Sequence, residues 1–178
     1  MRVFRLLTLA LAIMFLATAC GIKFKNGTSR SREFADFILG DFKYISANNS
    51  GQREFEIKAS EALMYNTRNE VFLYNMAMSF YNSKNQLKSF VSANSGYINK
   101  MTMNVFAEGK VKILGENHAV LEANKVYWDN TRKLFYTDPE ELVTIRHGNT
   151  VITGYKLLAD NTLREVKLET VSGDIRGK

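Results

Sequence analysis

The chain has 178 residues and a single cysteine, Cys20, which excludes a disulfide framework and a multi-cysteine zinc site in a monomer. One proline against twelve Phe and eight Tyr excludes a proline-rich linker protein and favours strands, and 46% hydrophobic residues suffice for one packed domain. The formal charge of +6 raises the question of a nucleic-acid partner, and the answer depends on where that charge lies.

Met1–Arg5 carries two positive charges and no acid, and Leu6–Ala19 is apolar except for Thr8 and Thr18. A run of fourteen residues suits the apolar region of a signal peptide and falls short of the roughly 20 that a helix needs to cross a bilayer. It ends in Leu16-Ala17-Thr18-Ala19-Cys20-Gly21, with small residues just before the cysteine. This pattern resembles the lipobox of bacterial lipoproteins, in which the cysteine is lipidated and becomes the new N-terminus. The alternative is an ordinary cleaved signal with Cys20 as an incidental thiol. Removal of Met1–Ala19 takes away Arg2 and Arg5 and no acid, so the charge falls from +6 to +4. With export and no Arg-rich recognition run, nucleic acid is not expected as a partner. Residues 1–19 are read as signal peptide, 20–32 as lipidated N-terminus and tether, and 33–178 as one folded domain. In the tether, Lys25, Arg30 and Arg32 are either solvated linker charges or contacts to anionic headgroups at about 1 kcal/mol each.

Within the domain, Phe34, Phe37 and Ile38 have helical spacing, which predicts a short helical turn over Glu33–Leu39. Phe42–Ser46, the turn Ala47–Gly51 and Arg53–Ala59 then read as a hairpin. Its second arm alternates strictly, placing Phe55, Ile57 and Ala59 on one face and Glu54, Glu56 and Lys58 on a wet one. A repeat follows. Ile57-Lys58-Ala59, Val91-Ser92-Ala93, Leu121-Glu122-Ala123 and Ile152-Thr153-Gly154 share an apolar-polar-small pattern, with the small residues 34, 30 and 31 positions apart. Turns recur after each at Asn66–Asn69, Asn99-Lys100, Asn130–Arg132 and Asn161-Thr162, followed by strand-type segments at 71–81, 103–114, 134–146 and 163–175. Such a period marks a unit that buries its apolar face against its neighbours. Residue types select strands over helical repeats, and the expected fold is all-β: an open antiparallel jellyroll or elongated sandwich of about 31-residue repeats and roughly fourteen short strands.

No catalytic or metal pattern stands out. His118 and His147 are 29 residues apart, outside any metal-ligand spacing, and adjoin turn residues. No phosphate loop, dinucleotide fingerprint or serine-nucleophile elbow occurs. Asp138, Glu140 and Glu141 around Pro139 read as a solvated turn. No enzymatic activity, cofactor or metal is expected.

Phe42-Lys43-Tyr44, Gly51 and Phe55-Glu56-Ile57-Lys58-Ala59-Ser60-Glu61-Ala62 together resemble the opening of the LptC family of lipopolysaccharide-export proteins. Asn104–Val111, Leu121–Asp129 and Val151–Leu157 resemble the repeats that LptC shares with LptA and the N-terminal part of LptD. The leading hairpin and the N-terminal membrane attachment favour LptC over soluble LptA. LptC commonly keeps a transmembrane helix, whereas this chain carries the lipobox-like Cys20. The resemblance implies a periplasmic protein, lipid-anchored to the inner membrane, that receives lipopolysaccharide from an ABC transporter of permeases and ATPase and passes it to an LptA-like partner. It implies an apolar groove, for which the inward set is Phe55, Ile57, Phe72, Phe80, Phe106, Val111, Ile113, Leu121, Val126, Trp128 and Ile145. It also implies a partner edge near Val166, Leu168, Thr170 and Val171. The competing reading is a structural or adhesive β-repeat lipoprotein of the cell envelope whose apolar residues fill a dry core.

Overall fold

The computed structural model describes residues 34–175. Ten strands form one antiparallel sheet: β1 (Phe37–Ala47), β2 (Arg53–Tyr65), β3 (Glu70–Tyr81), β4 (Leu87–Asn99), β5 (Val105–Gly115), β6 (Val120–Asp129), β7 (Leu134–Tyr136), β8 (Val143–His147), β9 (Thr150–Asp160) and β10 (Val166–Ile175). The strands follow chain order as a meander, each hydrogen-bonded to the next, with β7 and β8 sharing one position between β6 and β9. The four predicted repeats are thus successive strand pairs.

The strands are fewer and longer than the sequence suggests because they bend without ending. Most have one or two residues near mid-length that interrupt the pairing. Ladder pairing stops at Gly40 and resumes at Phe42 in β1, skips Ala59-Ser60 between β2 and β3, and skips Ala93-Asn94 in β4 against β5. It also skips Gly109-Lys110 in β5 against β6, and lapses between Lys167 and Ser172 in β10. Left-handed backbone accompanies these breaks at Asp41, Asn75, Gly109, Lys110, Lys156 and Thr170. A bulge bends its strand and raises the local twist, and a row of them folds the sheet along its mid-line. The small residues of the sequence repeat, Ala59, Ala93, Ala123 and Gly154, all lie at this fold line. A side chain on Gly154 would press on the Glu169 carbonyl oxygen at 2.9 Å and on Leu168 at 3.0 Å.

Folding brings the two halves of the meander face to face. Phe80, in the second half of β3, packs on Trp128 of β6 and Phe135 of β7 at ring separations of 4.5 and 5.5 Å. Strands so distant in the sheet meet only if it doubles over. The enclosed layer is one apolar cluster running from Phe55 and Ile57 through Val91, Val111 and Leu121 to Leu157 and Ala159. At about 25 cal/mol per Å² of apolar surface removed from water, this interior is the main stabilising term.

The seventh strand position does break, at Thr137–Leu142, within the strand-type segment 134–146 and at the turn expected around Pro139. Proline has no N–H for the ladder, so the gap is bridged by side chains. The Leu157 amide donates to Thr137 Oγ1 at 3.1 Å, Asn124 N–H donates to Glu141 Oε1 at 2.6 Å, and Tyr127 O–H donates to Asp138 Oδ2 at 3.0 Å. Asp138 and Glu141 therefore serve the fold at this break. Of the helical turn expected over Glu33–Leu39, Phe34 lies in a 3-10 turn, Glu33 falls outside the described residues, and Phe37–Leu39 are strand instead, pairing with Met64, Leu63 and Ala62 of β2. Pairing outweighs the helical spacing of three apolar residues. The turns foreseen at Asn66–Asn69, Asn99-Lys100, Asn130–Arg132 and Asn161-Thr162 all connect strands.

Gly96 in β4 lies between Leu73 and Ala107. A Cβ there would overlap the Met76 sulfur and the Phe106 carbonyl oxygen, whereas one at Gly40 meets nothing. Gly96→Ala is expected to lower stability in urea unfolding by about 1–3 kcal/mol, with Gly40→Ala near neutral. Equal effects at the two sites would contradict this packing.

Candidate functional site

Strand alternation decides which predicted groove residues share the interior. Phe55, Ile57, Phe80, Val111, Ile113, Leu121, Val126 and Trp128 belong to the enclosed cluster, and Ile145 packs against it from β8. Phe72 and Phe106 do not. Each sits between two buried residues, Val71 and Leu73 or Val105 and Ala107, so the two-residue period turns it to the outer face. There a single register line crosses the sheet through Ile38, Leu63, Phe72, Tyr97, Phe106, Tyr127, Tyr136 and Leu158. Tyr97, Phe106, Tyr127 and Tyr136 are spaced 5.2, 4.9 and 4.9 Å between ring centres, about the distance between strands. This is a cross-strand aromatic ladder on the outer surface. Burial in it, together with its bond to Asp138, pushes the Tyr127 hydroxyl up to about 12. Sequence reasoning missed the ladder because its successive members lie 9 to 21 residues apart and only the register aligns them. The strict alternation within each strand carried the signal for its parity.

The two halves of the folded sheet meet along a seam opposite the fold line. Hairpin ends of one half face those of the other there, held by side chains: Lys133 to Glu54 at 3.6 Å, Asn117 Nδ2 to the Leu163 carbonyl at 3.2 Å, and Arg164 to Glu116 at 2.6 Å. No strand pairing crosses the seam among the described residues. A cavity of about 320 Å³ opens in it, floored by Phe55, Phe80 and Trp128 and rimmed by Arg53, Lys88 and Lys133.

Beside this opening lies a feature at odds with the wet face expected for the first hairpin. Glu56 points outward yet is only 5% exposed. Lys58, Arg53 and Lys43 surround its carboxylate at 3.0, 2.9 and 3.5 Å. The hydrogen bond from Lys58, then that from Arg53 and the charge of Lys43, outweigh burial and hold the carboxyl below its ordinary value of 4.5. Arg53 is fixed further by two hydrogen bonds to Asn85 Oδ1 and by stacking 3.7 Å from the centre of the Tyr81 ring.

Each end of the sheet leaves one strand unpaired on its outer side among the described residues, β1 at one end and β10 at the other. β10 carries the predicted edge: Val166 and Leu168 pack partly on the interior, Thr170 takes a left-handed conformation at the bulge, and Val171 is 57% exposed. β1, the N-terminal edge that the family resemblance turns toward the transporter, adds exposed Phe37, Ile38, Leu39 and Ile45. His118 sits in the β5–β6 turn, and His147, at the end of β8, lies 3.1 Å from the Asn117 carbonyl. Among the described residues, no group of three His, Cys, Asp or Glu is placed to hold a metal. Cys20 and the signal and tether segments lie outside the described residues.

A meander doubled along its mid-line, with an apolar interior and, among the described residues, an open edge at each end, defines an antiparallel β protein of jellyroll type. Compared with known families, residues 6–175 match the family described as "Lipopolysaccharide-assembly, LptC-related", nearly the whole chain, and the protein belongs to that family. Membership implies involvement in lipopolysaccharide transport and suggests a periplasmic, inner-membrane-associated location; the family acts as a transport bridge and is not known as one of enzymes. Comparison with curated individual proteins returns no match.

Glu56 supplies a pH test. A carboxyl held below its ordinary value contributes stability above about pH 4.5 and loses it as pH falls through the lowered value. Glu56→Gln is therefore expected to lower the Tm near neutral pH, the gap to wild type narrowing as the pH is taken down toward 3 (about the lower limit of the carboxylate range). A gap that stays constant over that range would show that Glu56 charge is not what holds this corner.

Proposed function

We propose that this protein is a membrane-anchored relay that receives lipopolysaccharide from an ABC transporter, shelters its acyl chains between the two halves of the sheet, and passes it to an LptA-like neighbour. The observation that carries this reading is the apolar interior running the length of a sheet whose two edge strands are unpaired on their outer sides among the described residues. One exposed CH₂ costs about 0.8 kcal/mol, so a twelve-carbon chain in water costs on the order of 10 kcal/mol. A lipid with several chains needs continuous shelter between membranes.

The seam is the natural entrance. Opening it breaks side-chain contacts such as Lys133–Glu54, each worth about 0–1 kcal/mol at a surface, and no ladder hydrogen bonds. The interior is packed, so chains would enter by separating the halves, displacing contacts such as Phe80–Trp128. Apolar packing given up between the halves is replaced by packing against acyl chains, which keeps the exchange near balance. Direction would come from the transporter's ATP hydrolysis and from affinity differences along the chain of partners.

The open edges supply the connections. A strand from a neighbour can pair with β10 through Val166, Leu168, Thr170 and Val171, continuing the sheet and its apolar interior into the next molecule. By the same logic the β1 edge faces the transporter. The lipid on Cys20 holds the domain at the inner membrane.

Photoreactive residues at Ile57, Ile113 and Val126 are expected to capture lipopolysaccharide in cells, and one at Phe106, on the outer face, is not. Capture at Phe106 alone would overturn the interior path. At the β10 edge, Val171 lies in the pairing gap between Glu169 and Ser172, so Val171→Pro disturbs little of the β9 ladder. This variant is expected to lose co-purification with the LptA-like partner while its circular dichroism stays unchanged. Undiminished co-purification would count against edge pairing.

A further inference from the structure

The seam opening combines three features that the transport reading does not itself require. The first is its rim: Arg53, Lys88 and Lys133 face a single carboxylate, Glu54, so the opening carries excess positive charge. These cations differ in what they have left to give. Arg53 is committed to Glu56 and Asn85 and acts as a fixed charge. Lys133 shares a 3.6 Å contact with Glu54 and a 3.0 Å bond to Asn130 Oδ1. Lys88 makes no ion pair or side-chain hydrogen bond among the described residues.

The second feature is the floor. Phe55, Phe80 and Trp128 lead from the charged rim straight into the enclosed apolar cluster. The third is a polar group left over. Trp128 is 3% exposed, lines this cavity and the neighbouring cleft beneath the aromatic ladder, and its indole N–H meets no acceptor. A buried donor without a partner costs free energy comparable to a lost hydrogen bond, which an incoming acceptor would recover. Ser89, paired with Phe80 across the β3–β4 ladder, likewise has a buried hydroxyl without a partner.

A cationic rim, an apolar floor and an unpartnered buried donor on one of the floor residues fit a molecule with an anionic head, acyl chains and a carbonyl between them. We propose that this seam opening is a headgroup site for an acylated phosphoglycolipid, in which Lys88 and Lys133, backed by Arg53, hold a phosphate and the Trp128 N–H donates to an acyl ester or amide carbonyl. The proposal rests on the lipid-relay reading and adds where the head is held and by which atoms. It makes Lys88 and Lys133 specificity residues, since they separate phosphorylated from neutral glycolipid, while the apolar floor accepts either.

Trp128 is the chain's only tryptophan, so its emission reports this cavity and the cleft it borders. The full chain is titrated with bisphosphorylated lipid A, with the same lipid after dephosphorylation, and with inorganic phosphate. Wild type is expected to bind the phosphorylated lipid about tenfold more tightly than the dephosphorylated one, the scale of a lost charge-assisted contact. The double variant Lys88→Gln, Lys133→Gln is expected to erase that preference and leave the affinity for dephosphorylated lipid unchanged. Trp128→Phe, followed by displacement of a labelled lipid, should weaken both lipids equally. If wild type binds both lipids with equal affinity, the headgroup site is overturned while the relay reading stands. Binding of neither lipid overturns both. Inorganic phosphate displacing the lipid at matching concentrations would overturn the acyl part of the site.

Discussion

The fold depends on the row of bends that crosses the sheet at mid-strand. A ten-stranded meander left flat would expose one apolar face along its whole length. Doubling it along one line buries that face against itself, but each strand must turn at nearly the same point. A strand bends where a bulge interrupts the ladder and where little side chain crowds the inside of the turn. Both conditions are met repeatedly: left-handed backbone at Asp41, Asn75, Lys110 and Lys156, and small residues at Ala59, Ala93, Ala123 and Gly154. The sequence repeat is therefore a record of the bends. Its period is the length of one strand out and one strand back.

Everything on the functional side follows from this doubling. Among the described residues it places no strand pairing across the seam, because the two halves meet through hairpin ends and side chains. Among the described residues it leaves a strand at each end of the meander unpaired on one side, because a folded sheet, unlike a closed barrel, keeps both edges. The opening seam and the extendable edges of the proposed relay would thus both be consequences of one geometric device. The Pro139 segment shows how firmly the device is held. Where the seventh strand position fails, Thr137, Asp138 and Glu141 restore the missing connections from side chains, so the sheet continues past its own gap.

Much of this was legible in the sequence, and the failures have a common cause. The all-β class, the four turns and the nine interior residues from Phe55 to Ile145 follow from residue type, turn chemistry and two-residue alternation, all local signals. Phe72 and Phe106 are large and apolar, which draws them into the expected inward set, but their neighbours Val71, Leu73, Val105 and Ala107 claim the inner face. The helical spacing of Phe34, Phe37 and Ile38 was equally real, but a strand edge offered by β2 supplied backbone partners that an isolated turn lacks. Glu56 looked solvated because alternation says which way a side chain points and nothing about what covers it. Lys43, on another strand, and Arg53 cover it. The outer ladder and the charged seam opening are assembled from residues far apart in the chain, and only register and folding bring them together.

The two faces of the sheet illustrate why parity matters to a lipid carrier. On the inner face, side chains from both halves pack together, and in the proposed relay they would exchange that packing for acyl chains with little net change in apolar surface exposed to water. On the outer face, the Tyr97, Phe106, Tyr127 and Tyr136 rings pack along the sheet against one another, across adjacent strands within one layer. Separating the halves breaks none of these ring pairs, so the ladder can hold strand register while the seam opens. The same strands thus carry a face built to part and a face built to stay together, and alternation along β4 to β7 is what allows one sequence to encode both.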